Sequence, residues 1–113
     1  MTTTGTNRKP SRVKIADAGD SIRRRETFTA GDGSLTGTHE RLPRVDTGYL
    51  RDADRQDYQL AQDQHGAELY VVRSYGTPIA WAGPGEALTV PAVSYSATTS
   101  RHQGIARRAD AAR

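Results

Sequence analysis

His102 stands in the stretch of this chain best suited to chemistry: it follows the hydroxyls of Thr98, Thr99 and Ser100 and is flanked by Arg101 and Gln103. At the start of a helix such a set can hold a phosphate through backbone N–H groups, a guanidinium and an amide. A Ser100–His102 pair would also supply a nucleophile and its base, but a third group must orient the imidazole and the sequence identifies none. The same residues have a plainer use. Hydroxyls cap helices, and a histidine can pack on neighbouring strands and donate to a backbone carbonyl or to Tyr75.

Arg23, Arg24 and Arg25 form one basic cluster and Arg107 with Arg108 another. Both suit phosphate contact, and both equally suit a solvated surface. Trp81, Tyr75 and Tyr95 could make a stacking platform for single-stranded bases. A chain with only 6% aromatic residues needs its rings inside, so core packing is the preferred reading. Asp52, Asp54 and Asp57 lack the glycine and terminal glutamate of a calcium loop and read as solvated acidic surface. There is no phosphate-loop GxxxxGK[ST], no HExxH and no GxSxG, and His39, His65 and His102 lie far apart. No catalytic residue, metal or cofactor is expected.

The elements that must position these groups come from a chain of 113 residues, 35% hydrophobic, with a mean hydropathy of −0.74. That predicts one domain with a folded core of roughly 70 to 80 residues and loose ends. Cysteine is absent, and no apolar stretch resembles a signal peptide or a membrane span, so a cytoplasmic protein with no membrane partner is expected. Charge is uneven. Residues 1–25 carry seven basic and two acidic residues, residues 26–100 five and ten, and residues 101–113 four and one. Fourteen of the sixteen basic residues are arginine, which favours bidentate pairing with phosphate, although a GC-rich genome gives the same bias.

Residues 1–22 hold few large apolar groups and read as a disordered basic arm ahead of a single domain over 23–113. Phe28 and the alternating threonines before Gly31-Asp32-Gly33-Ser34, with Leu35 and Thr36 after it, predict a hairpin over Thr27 to Thr36. Asp46 or Thr47 would cap a helix with Leu50, Ala53, Asp57, Leu60 and Ala61 near one face, either one or two turns long or complete. Leu69 to Tyr75 is a strand with both faces partly covered. Ile79 to Ala82 is another, with Ile79 and Trp81 on one side. After the turn at Gly83-Pro84-Gly85-Glu86, residues 87–96 read as a returning edge strand with a bulge near Pro91, completing an antiparallel hairpin. Thr99 or Ser100 then caps a helix that buries His102, Ile105, Ala106, Ala109 and Ala112 and brings Arg101 and Arg108 together elsewhere.

The segments Ser74-Tyr75-Gly76-Thr77-Pro78-Ile79-Ala80-Trp81 and Tyr95-Ser96-Ala97-Thr98-Thr99-Ser100-Arg101-His102-Gln103 resemble a small uncharacterised domain of short proteins encoded by actinobacterial phages and related mobile elements. The resemblance covers roughly residues 25–108, with Tyr75, Thr77, Pro78, Trp81, Tyr95, Thr98 and Thr99 as its motif residues. It implies a strand-rich core, a trailing helix and a phage or plasmid origin. It brings no activity with it.

The expected fold is α+β, a small antiparallel β-sheet with a C-terminal α-helix packed on it and a disordered N-terminal arm. The expected function is that of a non-enzymatic accessory protein in the host-cell cytoplasm, binding nucleic acid through Arg23, Arg24, Arg25, Arg101, His102, Gln103, Arg107 and Arg108. The alternative is a module that binds a host protein, which the acidic middle of the chain favours. Oligomeric state is not legible.

Overall fold

The computed structural model of the chain describes residues 11–39, 50–91 and 97–111. Its centre is β4 (Tyr70–Ser74), in which every residue is buried. A β-branched and aromatic run of this kind can be covered on both faces. It pairs antiparallel with β3 (Leu35–His39) on one side and β5 (Thr77–Ala82) on the other, and β3 pairs antiparallel with β2 (Phe28–Ala30). Strand β1 (Ser11–Val13) lies parallel to β2 at the edge, giving the order β1-β2-β3-β4-β5. A 3-10 turn (Ile15–Asp17) and helix α1 (Ala18–Arg23) form the crossover between the two parallel strands. Helix α2 (Asp52–His65) joins β3 to β4, and α3 (Ala97–Ala111) follows β5.

Alternation along β4 sorts the core into two. Tyr70 and Val72 pack with Ala18 and Ile22 of α1, Phe28, Leu35, Ile79, Ala80, and Ala106 and Ala109 of α3. Val71 faces the other way, with Leu50, Tyr58, Leu69 and Trp81. Helices α1 and α3 thus cover one face of the sheet and α2 the other. The α+β class, the Thr27 to Thr36 hairpin, the two-faced strand and the C-terminal helix are as the sequence predicts.

Four expectations are corrected. Residues 11–22, assigned to the arm, instead form β1, the 3-10 turn and α1, because Ile15, Ala18, Gly19 and Ile22 recur at helical spacing and make one small apolar face that α3 covers. Ile79 and Trp81 do not share a side. Val72 opposes Ala80 and Arg73 opposes Pro78, so Ile79 is the extra residue of a bulge. The proline sits there without costing a ladder bond, and both Ile79 and Ala80 reach the larger core.

Among the described residues, which reach Pro91 here, the returning strand amounts to one bridge, in which Trp81 and Thr89 exchange backbone bonds of 3.1 and 2.8 Å. The amide of Leu88 is spent on Asp110 Oδ1 instead, and Pro91 has no amide to offer. Val93 and Tyr95 lie outside the described residues. Lastly, α2 is a single helix of 14 residues that buries Tyr58 and Gln62, with Ala61 partly covered, while Leu60 is 56% exposed. The buried row is therefore displaced from the predicted one. The predicted caps, Asp46 and Thr47, lie outside the described residues. Arg51 occupies the N-cap without a side-chain bond, and Arg55 reaches back to the Leu50 carbonyl at 3.1 Å.

Candidate functional site

Helix α3 carries two unlike faces. Toward the sheet it turns His102, Gln103, Ala106 and Ala109, all buried. His102 Nδ1 lies 2.8 Å from the Ser74 hydroxyl, which is itself 3.1 Å from the hydroxyl of Thr99. The helix begins at Ala97, so Thr99 and Ser100 lie inside it and the predicted cap role of both is corrected. Thr99 binds Ser74 because the first turn of α3 sits on the end of β4. Gln103 donates through Nε2 to the Pro91 carbonyl at 3.0 Å, and Arg107 donates to the same oxygen at 3.2 Å.

This cluster fastens α3 to β4. Ser74 is only 1% exposed and His102 3%, which leaves a substrate no approach to a serine–imidazole pair. Burial, helped by the adjacent Arg101, pushes the His102 imidazole below its ordinary 6.5. A histidine less easily protonated in the fold than in the unfolded chain contributes stability that is present above 6.5 and lost as pH falls through the folded value. Burial lowers His39 in the same direction. Urea midpoints should therefore fall from about pH 7.5 to about pH 5, and by less in His102→Gln than in the parent. Equal losses in both proteins would mean that His102 does not carry the effect.

The second face of α3 presents Arg101, Ile105 and Arg108, one and two turns apart, toward α1. Between the helices runs a groove of about 470 Å³, lined also by Ile15, Ala16, Gly19, Asp20, Arg23 and Ala109. Small residues at Ala16 and Gly19 keep it open. Its floor is apolar, and its rim bears three guanidiniums against one carboxylate, Asp20, which pairs with Arg23 at 3.0 Å. Arg101 and Arg108 are exposed and Arg23 is half-buried.

Of the predicted contacts, then, the fold brings Arg23, Arg101 and Arg108 together. Arg24 is exposed away from the groove, and Arg107 is tied to Pro91. Arg25 is committed inside. It adopts a positive φ of 56° just past α1, with Arg25 N–H bonded to Ile22 O and Glu26 N–H to Ser21 O, the pattern that closes a helix with a left-handed residue. Its guanidinium meets the Ile22 carbonyl at 2.8 Å, Glu86 O at 3.2 Å and Asp110 Oδ1 at 3.1 Å, and lies over the Tyr70 ring. His102 and Gln103 are likewise spent on the fold.

Among the motif residues, Thr77, Pro78 and Trp81 are buried, and the indole tilts against Tyr58 at 5.1 Å. Thr98 is half-buried, and Tyr95 lies outside the described residues. Tyr75, expected in the core, is 60% exposed. It forms with Gly76 the two-residue turn between β4 and β5, both at positive φ (51° and 85°), so it stands at the tip of the hairpin rather than on either face. Sequence reasoning missed Ser74 and Asp110, the first hidden by its place in a strand and the second by its place among exposed charges.

Among the described residues no three histidine or carboxylate side chains are grouped to hold a metal ion, and no helix is long and apolar enough to cross a membrane. Asp52, Asp54 and Asp57 line the start of α2, where Asp52 pairs with Arg55 at 3.0 Å. No curated protein and no solved structure matches the chain. A family model does match, over residues 21–112, which takes in every element from α1 to α3 except the first three residues of α1. The chain belongs to a family of unknown function, DUF8033.

Proposed function

We propose that this chain is a non-enzymatic accessory protein of a phage or mobile element that binds nucleic acid in the host-cell cytoplasm. The observation that carries the reading is the convergence of Arg23, Arg101 and Arg108 on one groove. Three guanidiniums from two helices, facing one carboxylate, suit successive phosphates of a backbone. The phage or mobile-element origin rests on the likeness of the Ser74 to Trp81 and Tyr95 to Gln103 segments alone.

Electrophoretic mobility shifts on single-stranded DNA, duplex DNA and RNA at low salt test it. Three phosphate contacts predict a log–log salt slope of about −2 to −3. Arg101→Glu with Arg108→Glu should abolish retardation, whereas Arg24→Glu should weaken it little. If none of the three nucleic acids is retarded at micromolar protein, the proposal ends.

The apolar floor of the groove favours a second reading, a module that binds a host protein by seating an apolar side chain between the arginines. Pull-down from host lysate with and without nuclease separates the two, since a partner that survives nuclease belongs to this one.

A further inference from the structure

Helix α2 bears an exposed leucine that the fold does not use. Tyr58 and Gln62 are its buried side chains, and Leu60, midway between them in sequence, stands on the opposite side of the helix, 56% exposed. Asp57 and Asp63 lie three positions before and after Leu60, which puts one carboxylate on each flank of it. Both are exposed, and neither has an ion pair among the described residues. Over its length α2 sets Asp52, Asp54, Asp57 and Asp63 against one arginine, Arg55. A single exposed leucine is ordinary surface, but a leucine between two unpaired carboxylates is a more particular pattern.

The groove between α1 and α3 has the inverse of that pattern. Its floor is apolar, with Ile15, Gly19 and Ile105, and Arg101 and Arg108 rim it with no ion pair among the described residues. Arg23 adds a guanidinium from the α1 side. An apolar side chain seated on that floor brings carboxylates on its two flanks toward the guanidiniums of the two walls, so area and charge are satisfied together. No chain can do this for itself, because α2 covers one face of the sheet and α1 with α3 the other. The match is between copies.

We propose that the chain associates with itself head to tail, Leu60 of one copy entering the α1–α3 groove of the next with Asp57 and Asp63 set against Arg23, Arg101 and Arg108. The two surfaces differ, so the contact is heterologous. Each added copy leaves one groove and one α2 row free, and association continues past the pair unless a ring closes. The inference goes beyond the nucleic-acid reading and does not rest on it. A strand and a second copy compete for one groove, so bound nucleic acid should release the copies from one another.

Sedimentation equilibrium of the full chain over a concentration series tests this. At low salt the average mass should climb past twice the 12.3 kDa of one chain, and it should fall back toward one chain at about 1 M salt, where charges are screened within about 3 Å. Leu60→Ser alone should weaken association about tenfold. Two multiple variants make the test specific: Leu60→Ser with Asp57→Asn and Asp63→Asn removes the α2 row, and Arg101→Glu with Arg108→Glu removes the groove. Each should be monomeric alone, with a urea midpoint near the parent's because every substituted side chain is exposed. Mixed in equal amounts they should form a one-to-one pair that grows no further, since one keeps only a groove and the other only a leucine row. A parent that stays monomeric at low salt, or two variants that remain apart when mixed, overturns the inference. A parent that associates yet retards no nucleic acid ends the reading above and leaves this one standing; a parent that retards nucleic acid and stays monomeric does the reverse.

Discussion

Gly37→Ala should lower the free energy of unfolding by about 3 kcal/mol, near the upper end of what overpacking a core costs. Gly37 lies in β3 between Phe28 of β2 and Val72 of β4 in the ladder. A methyl group there would overlap the Tyr70 hydroxyl and the edge of the Phe28 ring. Neither neighbour can move away cheaply. Both are fully buried, and Tyr70 is held by its bond to the Glu26 carbonyl at 2.6 Å. Backbone conformation is not the cause, since the issue is space alone. Urea unfolding should show a lowered midpoint at unchanged slope, and Phe28→Leu in the same chain should restore part of the loss. A Gly37→Ala protein as stable as the parent would show that β2, β3 and β4 do not pack as described.

Asp110→Ala should cost about 2 to 3 kcal/mol. One carboxylate oxygen of Asp110 takes both the Arg25 guanidinium at 3.1 Å and the Leu88 amide at 3.0 Å, joining the last turn of α3 to the end of α1 and to the segment after β5. Breaking a fully buried pair costs about 3 to 5 kcal/mol, mostly because the survivor is left unpaired. The side chains here are 13% and 23% exposed, and Arg25 keeps two carbonyls, so the loss is smaller. Asp110→Asn keeps the acceptor for Leu88 and should cost about 1 kcal/mol. Chemical denaturation of the two variants decides the matter; if they lose equally, the Leu88 amide bond contributes little and the charge carries the joint.

What could be read from the chain divides by the physical signal each element sends. The strands around Val71 and Ile79 announce themselves because β-branched runs between glycines have few other uses. The polar helix α2 is harder, since its inward row rests on Tyr58 and Gln62, and a glutamine that donates to a tyrosine hydroxyl at 3.1 Å looks like surface in a sequence. The segment before Ser21 sends a weaker signal of its own. Ile15, Ala18, Gly19 and Ile22 keep helical spacing, but their small combined size makes the stretch look too polar to fold until α3 is there to cover it.

At the site, helix spacing placed Arg101 and Arg108 together, and nothing in one dimension showed that Arg23 would join them. Adjacent arginines in the sequence part company for the same reason. Arg23 ends the helix, and the reversal at Arg25 sends that guanidinium inward to Asp110, a partner that lies 85 positions further along the chain. Composition alone points Tyr75 inward, since rings are scarce, whereas the two-residue turn it forms with Gly76 puts it outside.

Helices α1 and α3 pack on each other although almost the whole of the sheet is encoded between them. On a translating ribosome α1 is made early, and its apolar face must wait uncovered until α3 has cleared the exit tunnel. The arginine groove thus takes shape only once α3 lies against α1, so a chain cut short before α3 lacks Arg101 and Arg108 and with them two of the three guanidiniums that line it.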